Sequence, residues 1–471
     1  MDATSDTTAV GTAAAVALAD TRTDPPEAGP AGAAGGPSAA VPPAPADPPV
    51  APRAPAAFTA PAPGGPPEAP AGPGADPVVP GQAGPRGAGR PAGPAQRYPR
   101  PAVTELRLSA FGPHRSAVFP LGPLTLFAGP SGSGKSQALE AYEALAGLAS
   151  GVMLEEAFPD ACARIPDRAV PDAQRRRGFR LGVTVDGPAG PVRLDLAVQA
   201  EPALRIVGER LSQDGKILLA TALRDPGRRS VQAAWLTGGT IGVTRAPLPD
   251  DRLGTALLPL RVAGSTAGQR QVLAAAEQVV VALRAVFPCD PRPDRMRGAV
   301  PPGEGRLLGD CANLADVLRR TRSECGTRHA LLAEAARTGC AGPVAGLDVR
   351  AAAGGGPVAA VLDRGPDRPA TGLGRLGAGE LRFLALALVL LTGPGVLAVD
   401  PAAELLSARQ ALTVLADDFD RGLDRRQSAE LLRLALLSCG RGHIRLVAAV
   451  GETTAAAARD LAGVAMVDLG T

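Results

Sequence analysis

From about Val103 the chain alternates apolar and polar residues, and VTELRLSAFG predicts a strand with SAVFPLG as its hairpin partner. LTLFA, from Leu124, is a short apolar run of the kind a buried strand carries. The glycine-rich GPSGSGKS follows, and SQALEAYEALAGLAS then has helical spacing, ending near Gly151. GFRLGVTVDG, GPVRLDLAVQA and LRIVGERLSQDGKILLATAL predict an antiparallel meander with Gly and Asp turns. RQVLAAAEQVVVALRAVF reads as one helix, and NLADVLRRTRSECGTRHALLAEAAR as another, broken once. GELRFLALALVLL predicts a buried helix, LTVLA a strand, and RRQSAELLRLALLSCG an amphipathic helix. HIRLVAAV and VAMVDLGT are further strands, and no run of heptads supports an extended coiled coil. The pattern gives an α/β fold class: a core of residues 101–150 and 370–471, split by an α+β insertion over 151–369.

Residues 1–100 have no such pattern. They are Ala, Pro and Gly, with little to bury, and are expected to be a disordered N-terminal tail. Of 49 basic residues only Lys135 and Lys216 are lysines, so the ammonium retained in the glycine loop points to a role a guanidinium does not fill. The net charge of +3 gives no polyanion signature for the whole chain. The arginine clusters at 175–177, 319–320 and 425–426 read as solvated surface. Six scattered cysteines, with no C-x-x-C pair, argue against a zinc site, a metal cluster or a disulfide framework. The apolar run Phe383 to Leu391 is too short for a membrane span, and a soluble, cytoplasmic protein is expected.

GPSGSGKS fits G-x-x-x-x-G-K-[ST] between a strand and a helix. Gly129, Gly132 and Gly134 let backbone N–H groups turn toward phosphate oxygens, with Pro130, Ser131, Ser133 and Gln137 completing the cradle. Lys135 would reach the β- and γ-phosphates of ATP, and the Ser136 hydroxyl would bind Mg²⁺. The apolar LTVLA ends in Asp417, a candidate for the metal shell, and Asp418 stands where a general base would. GLD follows, ending in Asp424. A rival exists in GVLAVDPAAE, where Asp400 ends an apolar run with Glu404 nearby, but only Asp417 has the second acid and the GLD behind it. In LGAGE, Gly377, Gly379 and Glu380 open an apolar helix, a second potential anion-binding helix start.

Taken together, LTLFAGPSGSGKS, LGAGE and LADDFDRGLD resemble the ABC-type ATPase superfamily, and more narrowly its soluble RecF, SMC and OLD-type AAA-labelled members of actinobacterial type. TELRLSAFGPHRSAVFPL is similar to their opening hairpin; LRIVGERL and LLGDCANLADVL are similar to stretches of their insertion. The resemblance implies that 129–136 is the Walker A loop, 376–380 the signature, Asp417 the Walker B aspartate, Asp418 the catalytic acid, and 422–424 the D-loop. It implies ATP and Mg²⁺ held between Walker A of one copy and the signature of another, in a homodimer that closes on ATP, hydrolyses it and acts on DNA or another partner. A switch that binds ATP without turnover, or a transporter's nucleotide-binding subunit, are the alternatives.

The chain departs from the family pattern in several places. Gly377 replaces the signature serine, and Asp418 is one methylene shorter than glutamate. Gly451 and Glu452 stand where a switch histidine is expected, and His443 reads as structural. Gln174 is a candidate Q-loop residue, and Cys311 takes the place of a glycine. Slow hydrolysis is the expectation.

Overall fold

The computed structural model describes residues 100–238, 242–352, 354–399 and 411–470. The expected N-terminal tail lies outside the described residues apart from Arg100, as do Asp400 and Glu404. All described residues belong to one compact unit, Arg90–Thr471.

The chain opens with the hairpin β1 (Ala102–Phe111) and β2 (His114–Pro120). β3 (Leu124–Ala128) follows, then the glycine loop and helix α1 (Lys135–Ala149). After the short α2 (Leu154–Ala157) comes a run of six strands. They are β4 (Arg177–Asp186), β5 (Val192–Glu201), β6 (Arg205–Gln213), β7 (Lys216–Ala222), β8 (Ser230–Leu236) and β9 (Val243–Pro249). These join the hairpin in one antiparallel sheet, order β2-β1-β4-β5-β6-β7-β8-β9. Strict alternation builds its inner face: in β5, Val192, Leu194, Leu196 and Val198 are buried while Arg193 and Asp195 point the other way. The short α3 (Gly254–Leu257) leads into α4 (Ala267–Arg284), which packs on that inner face.

A second sheet is parallel throughout. It orders β10 (Val286–Pro288), β14 (Leu412–Ala416), β15 (Ile444–Ala449), β3 and β16 (Val464–Asp468) side by side. β3 and β14 are buried at every position, which explains why each is apolar but for one threonine, Thr125 and Thr413. Helices α5 (Leu314–Glu324), α6 (Gly326–Gly339), α7 (Ala378–Leu391) and α8 (Arg425–Gly440) pack on one side, and α9 (Glu452–Ala458) follows β15. A small antiparallel sheet of β11 (Gly346–Ala351), β12 (Val358–Asp363) and β13 (Thr371–Gly372) backs α5 and α6.

The parallel sheet is the wall between two cores. Phe127, Leu415, Val447 and Ala449 face the core under the antiparallel sheet. Leu124, Leu126, Val414, Ala416, Leu446 and Ala448 face the helical core. Successive residues point to opposite faces, so each short strand serves both.

Several expectations need amendment. The helix over RQVLAAAEQVVVALRAVF stops at Arg284, and Val286 and Phe287 enter β10, a strand of the parallel sheet. The segment 151–369 is therefore interrupted by core structure, while β1 and β2 pair with the meander. β8, β9, β11 and β12 were not foreseen. In GVLAVDPAAE, the described part forms a single turn at Pro394–Val396 and one bridge, Leu397 to Leu307.

Candidate functional site

The connections after β3 and β15 leave toward opposite edges of the parallel sheet, which opens a crevice at the strands' carboxyl ends. The glycine loop fills this place. Gly129, Gly132 and Gly134 have φ of 145°, 82° and 96°, a region L side chains seldom adopt. A Cβ at Gly129 would strike the Leu469 carbonyl, and one at Gly134 the His114 ring and Pro113. Helix α1 starts at Lys135 with no side-chain cap, so its first N–H groups have no such partner and face the loop. Lys135 Nζ donates to Gly129 O at 2.7 Å and to Pro130 O at 3.1 Å, which holds the ammonium across the loop.

Asp417 follows β14, two strands away from β3, and the intervening β15 sets its distance. Ser136 Oγ donates to Asp417 Oδ1 at 3.1 Å, and Asp418 N–H donates to the same oxygen at 3.1 Å. Two hard oxygen ligands thus converge beside the loop, a set that suits Mg²⁺. Asp418 sits at φ 48°, which Asp tolerates better than most residues. Its carbonyl accepts from Arg382 Nη2 at 3.0 Å. Asp418 lines a cavity of about 750 Å³ together with Lys135, Ser136, Gln137, Arg421 and Gly451. Glycines that a Cβ would fill, an uncapped helix start and a roomy cavity fit a nucleoside triphosphate.

Other expected site residues are placed differently. Pro130 and Ser133 pack toward Gly470, where a Cβ would lie 3.2 Å from the proline ring and 3.6 Å from Ser133 Cβ. Gly377 is the N-cap of α7, and its N–H donates to Glu380 Oε2 at 2.8 Å. Glu380 Oε1 also accepts from Ala341 N at 2.8 Å, so this acid ties the helix start to the end of α6. Gly379 backs onto the Gly422 carbonyl, where a Cβ has no room. Asp424 caps α8 by accepting from Gln427 N at 2.7 Å. Gly377, Gly379, Glu380 and Asp424 are not among the residues lining the loop cavity.

Gly451 N–H donates to both Asp420 oxygens at 3.1 Å, with no imidazole at this position. His443 stands before β15, at the opposite end of the strand from the loop, and burial lowers its pKa. Gln174 lies in an exposed turn on Asp172 and Arg176, away from the loop cavity. Cys311 has φ 57°, the backbone a glycine would take most easily.

Five residues were missed by sequence reasoning. Arg382 is 5% exposed and also donates to Pro291 O at 2.7 Å and to Asp290 Oδ1 at 3.3 Å. A basic residue inside the otherwise apolar run LRFLALALVLL was its signal. His114 reaches the Gly134 carbonyl at 3.1 Å, and burial lowers its pKa. Asp290, Arg292 and Asp310 line a second cavity of about 540 Å³ that shares Ser136 and Asp417 with the loop site.

No protein-family model matches the chain, and no curated protein matches it. Among solved structures, it is similar to an SMC head bound to the C-terminal winged-helix domain of ScpA, at 11% identity and TM-score 0.38, covering 75% of this chain and 91% of that one. The SMC head domain from Thermotoga maritima is 14% identical with TM-score 0.37, covering 78% and 94%. A Pyrococcus furiosus Smc head with an extended coiled coil, bound to the C-terminal domain of ScpA, is 9% identical with TM-score 0.40, covering 76% and 91%. At such identities and TM-scores the likeness carries no functional weight. Among the described residues, no helix is long and apolar enough to cross a membrane.

Proposed function

We propose that the chain binds ATP with Mg²⁺ at the glycine loop and hydrolyses it slowly between two copies arranged head to tail. The observation that carries the reading is the Ser136–Asp417 pair, 3.1 Å apart and separated by 281 positions in sequence. A hydroxyl at a helix start and a carboxylate at a strand end meet where a phosphate-bound cation would sit. The cation, when bound, would neutralise charge building on the phosphates.

In this reading Lys135 exchanges its two carbonyl partners for phosphate oxygens, and the N–H groups of the loop and α1 hold the β-phosphate. The Asp418 carboxylate orients the attacking water. The start of α7, with Gly377 exposed, contributes to the site of the second copy. Closure of the pair would be passed to DNA or to a protein partner in the cytoplasm.

Phosphate release from Mg-ATP would be measured for wild type, Lys135→Ala and Asp418→Asn, with and without DNA. ATP-dependent dimerisation would be followed by sedimentation. Turnover lost in both variants, with Asp418→Asn still dimerising on ATP, supports the reading. No ATP binding by wild type overturns it. ATP binding and dimerisation without turnover leave an ATP-gated switch, which the missing imidazole at Gly451 favours.

A further inference from the structure

The loop after β10 and the segment before α5 run side by side. Asp290 N donates to Gly309 O at 2.9 Å, and Arg292 N to Asp310 O at 2.9 Å. This pairing brings Cys289 and Cys311 together, buried at 2% and 0% exposure, with the Cys311 thiol interacting with the Cys289 side chain. Cys289 also borders the cavity of about 540 Å³ that is lined by Ser136 and Asp417. Among the described residues, no group of three or more His, Cys, Asp and Glu could hold a metal ion, so these thiols are not explained as ligands.

We infer that Cys289 and Cys311 are a modification site: a hydroperoxide oxidises them to an intrachain disulfide beside the nucleotide site. Cys289, once deprotonated, attacks one peroxide oxygen, the O–O bond breaks, and the leaving oxygen takes up a proton to form water. The resulting sulfenic acid is attacked by Cys311; the S–S bond forms, the S–O bond breaks, and a second water leaves with the remaining protons. Two thiols lose two electrons, and one hydrogen peroxide becomes two waters. The neighbouring Cys289 side chain and burial push Cys311 well above the ordinary thiol range, so the first attack is assigned to Cys289.

The pair is wired to the candidate catalytic turn. Asp290, next to Cys289, accepts from Arg382, which in turn donates to the Asp418 carbonyl. Drawing Cys289 onto Cys311 shifts this loop, so oxidation lowers turnover; this second part rests on the ATPase reading above.

The test uses the reduced full chain, treated with hydrogen peroxide, alkylated, digested with trypsin and examined by mass spectrometry. The expected product joins the peptides 285–295 and 307–319, about 2 Da lighter than their sum, and is separated by a dithiol reductant. The exposed Cys162 is the internal control. Recovery of both peptides as alkylated thiols while Cys162 is oxidised overturns the assignment. So does oxygen addition to Cys289 without a link, or a link to any other cysteine. A link that forms while phosphate release stays unchanged overturns only the effect on turnover. The peptide map decides the site even if the wild type hydrolyses nothing.

Discussion

Arg382 lies within the apolar α7, and its guanidinium donates to the backbone carbonyl of Asp418 across 3.0 Å. One side chain therefore links the start of the apolar helix, the acidic turn after β14, and the loop after β10. Replacing it with Met leaves the Pro291 carbonyl without its Arg382 donor and the Asp418 carbonyl with only the N–H of Arg421, at 3.0 Å. We expect Arg382→Met to lower stability by about 2–3 kcal/mol. Phosphate release should fall by at least tenfold even where the protein is folded. Urea unfolding and steady-state turnover, compared with Arg382→Lys, check both. Lysine keeps the charge but cannot reach three partners in a fork.

The two glycines of LGAGE are predicted to differ. A Cβ at Gly379 collides with the Gly422 carbonyl, whereas one at Gly377 meets only Glu380 Oε2 at 3.4 Å. Gly379→Ala should cost about 1–3 kcal/mol by overpacking, and Gly377→Ala much less. Equal urea midpoints for the two variants would contradict the close approach of α7 to the turn before α8.

His114 is held neutral by burial and donates through Nε2 to Gly134 O in that form. Its folded pKa lies below the ordinary 6.5, so the unfolded chain takes up the proton first as pH falls. Its stabilising contribution is present above pH 6.5 and is lost as pH falls through the folded value. The slope for one proton is at most about 1.4 kcal/mol per pH unit. His443 has the same direction of shift, so the comparison must be with His114→Gln, which keeps a donor. Thermal unfolding from neutral to mildly acid pH should show a shallower slope in the variant.

Asp424 has local work as the cap of α8 whatever its part in a dimer. Asp424→Ala should cost about 1 kcal/mol, and Asp424→Asn much less, because an amide oxygen still accepts from Gln427 N. An unchanged unfolding midpoint in Asp424→Ala would show that the cap is not formed in solution.

How much of this was legible depends on how far apart the interacting residues lie. LTLFA and LTVLA match β3 and β14 residue for residue, because a strand buried on both faces is mostly apolar, here with one buried threonine each, Thr125 and Thr413. The glycine loop was legible because its positive φ values admit few other residues. β10 was hidden: three residues at the end of a helical pattern have no period of their own. The partners of Arg382 lie 36 and 92 positions away, and no spacing rule reaches them.

By itself, then, the sequence determined most local elements, the glycine loop and the α/β class, since backbone torsion and side-chain period act over a few residues. Only the tertiary structure decided which strand lies beside which. That order brings Asp417 to Ser136, Arg382 to Asp418 and Cys289 to Cys311. Strand neighbours in a parallel sheet are chosen by how the helices between them pack, a choice that the alternation along any one strand does not record.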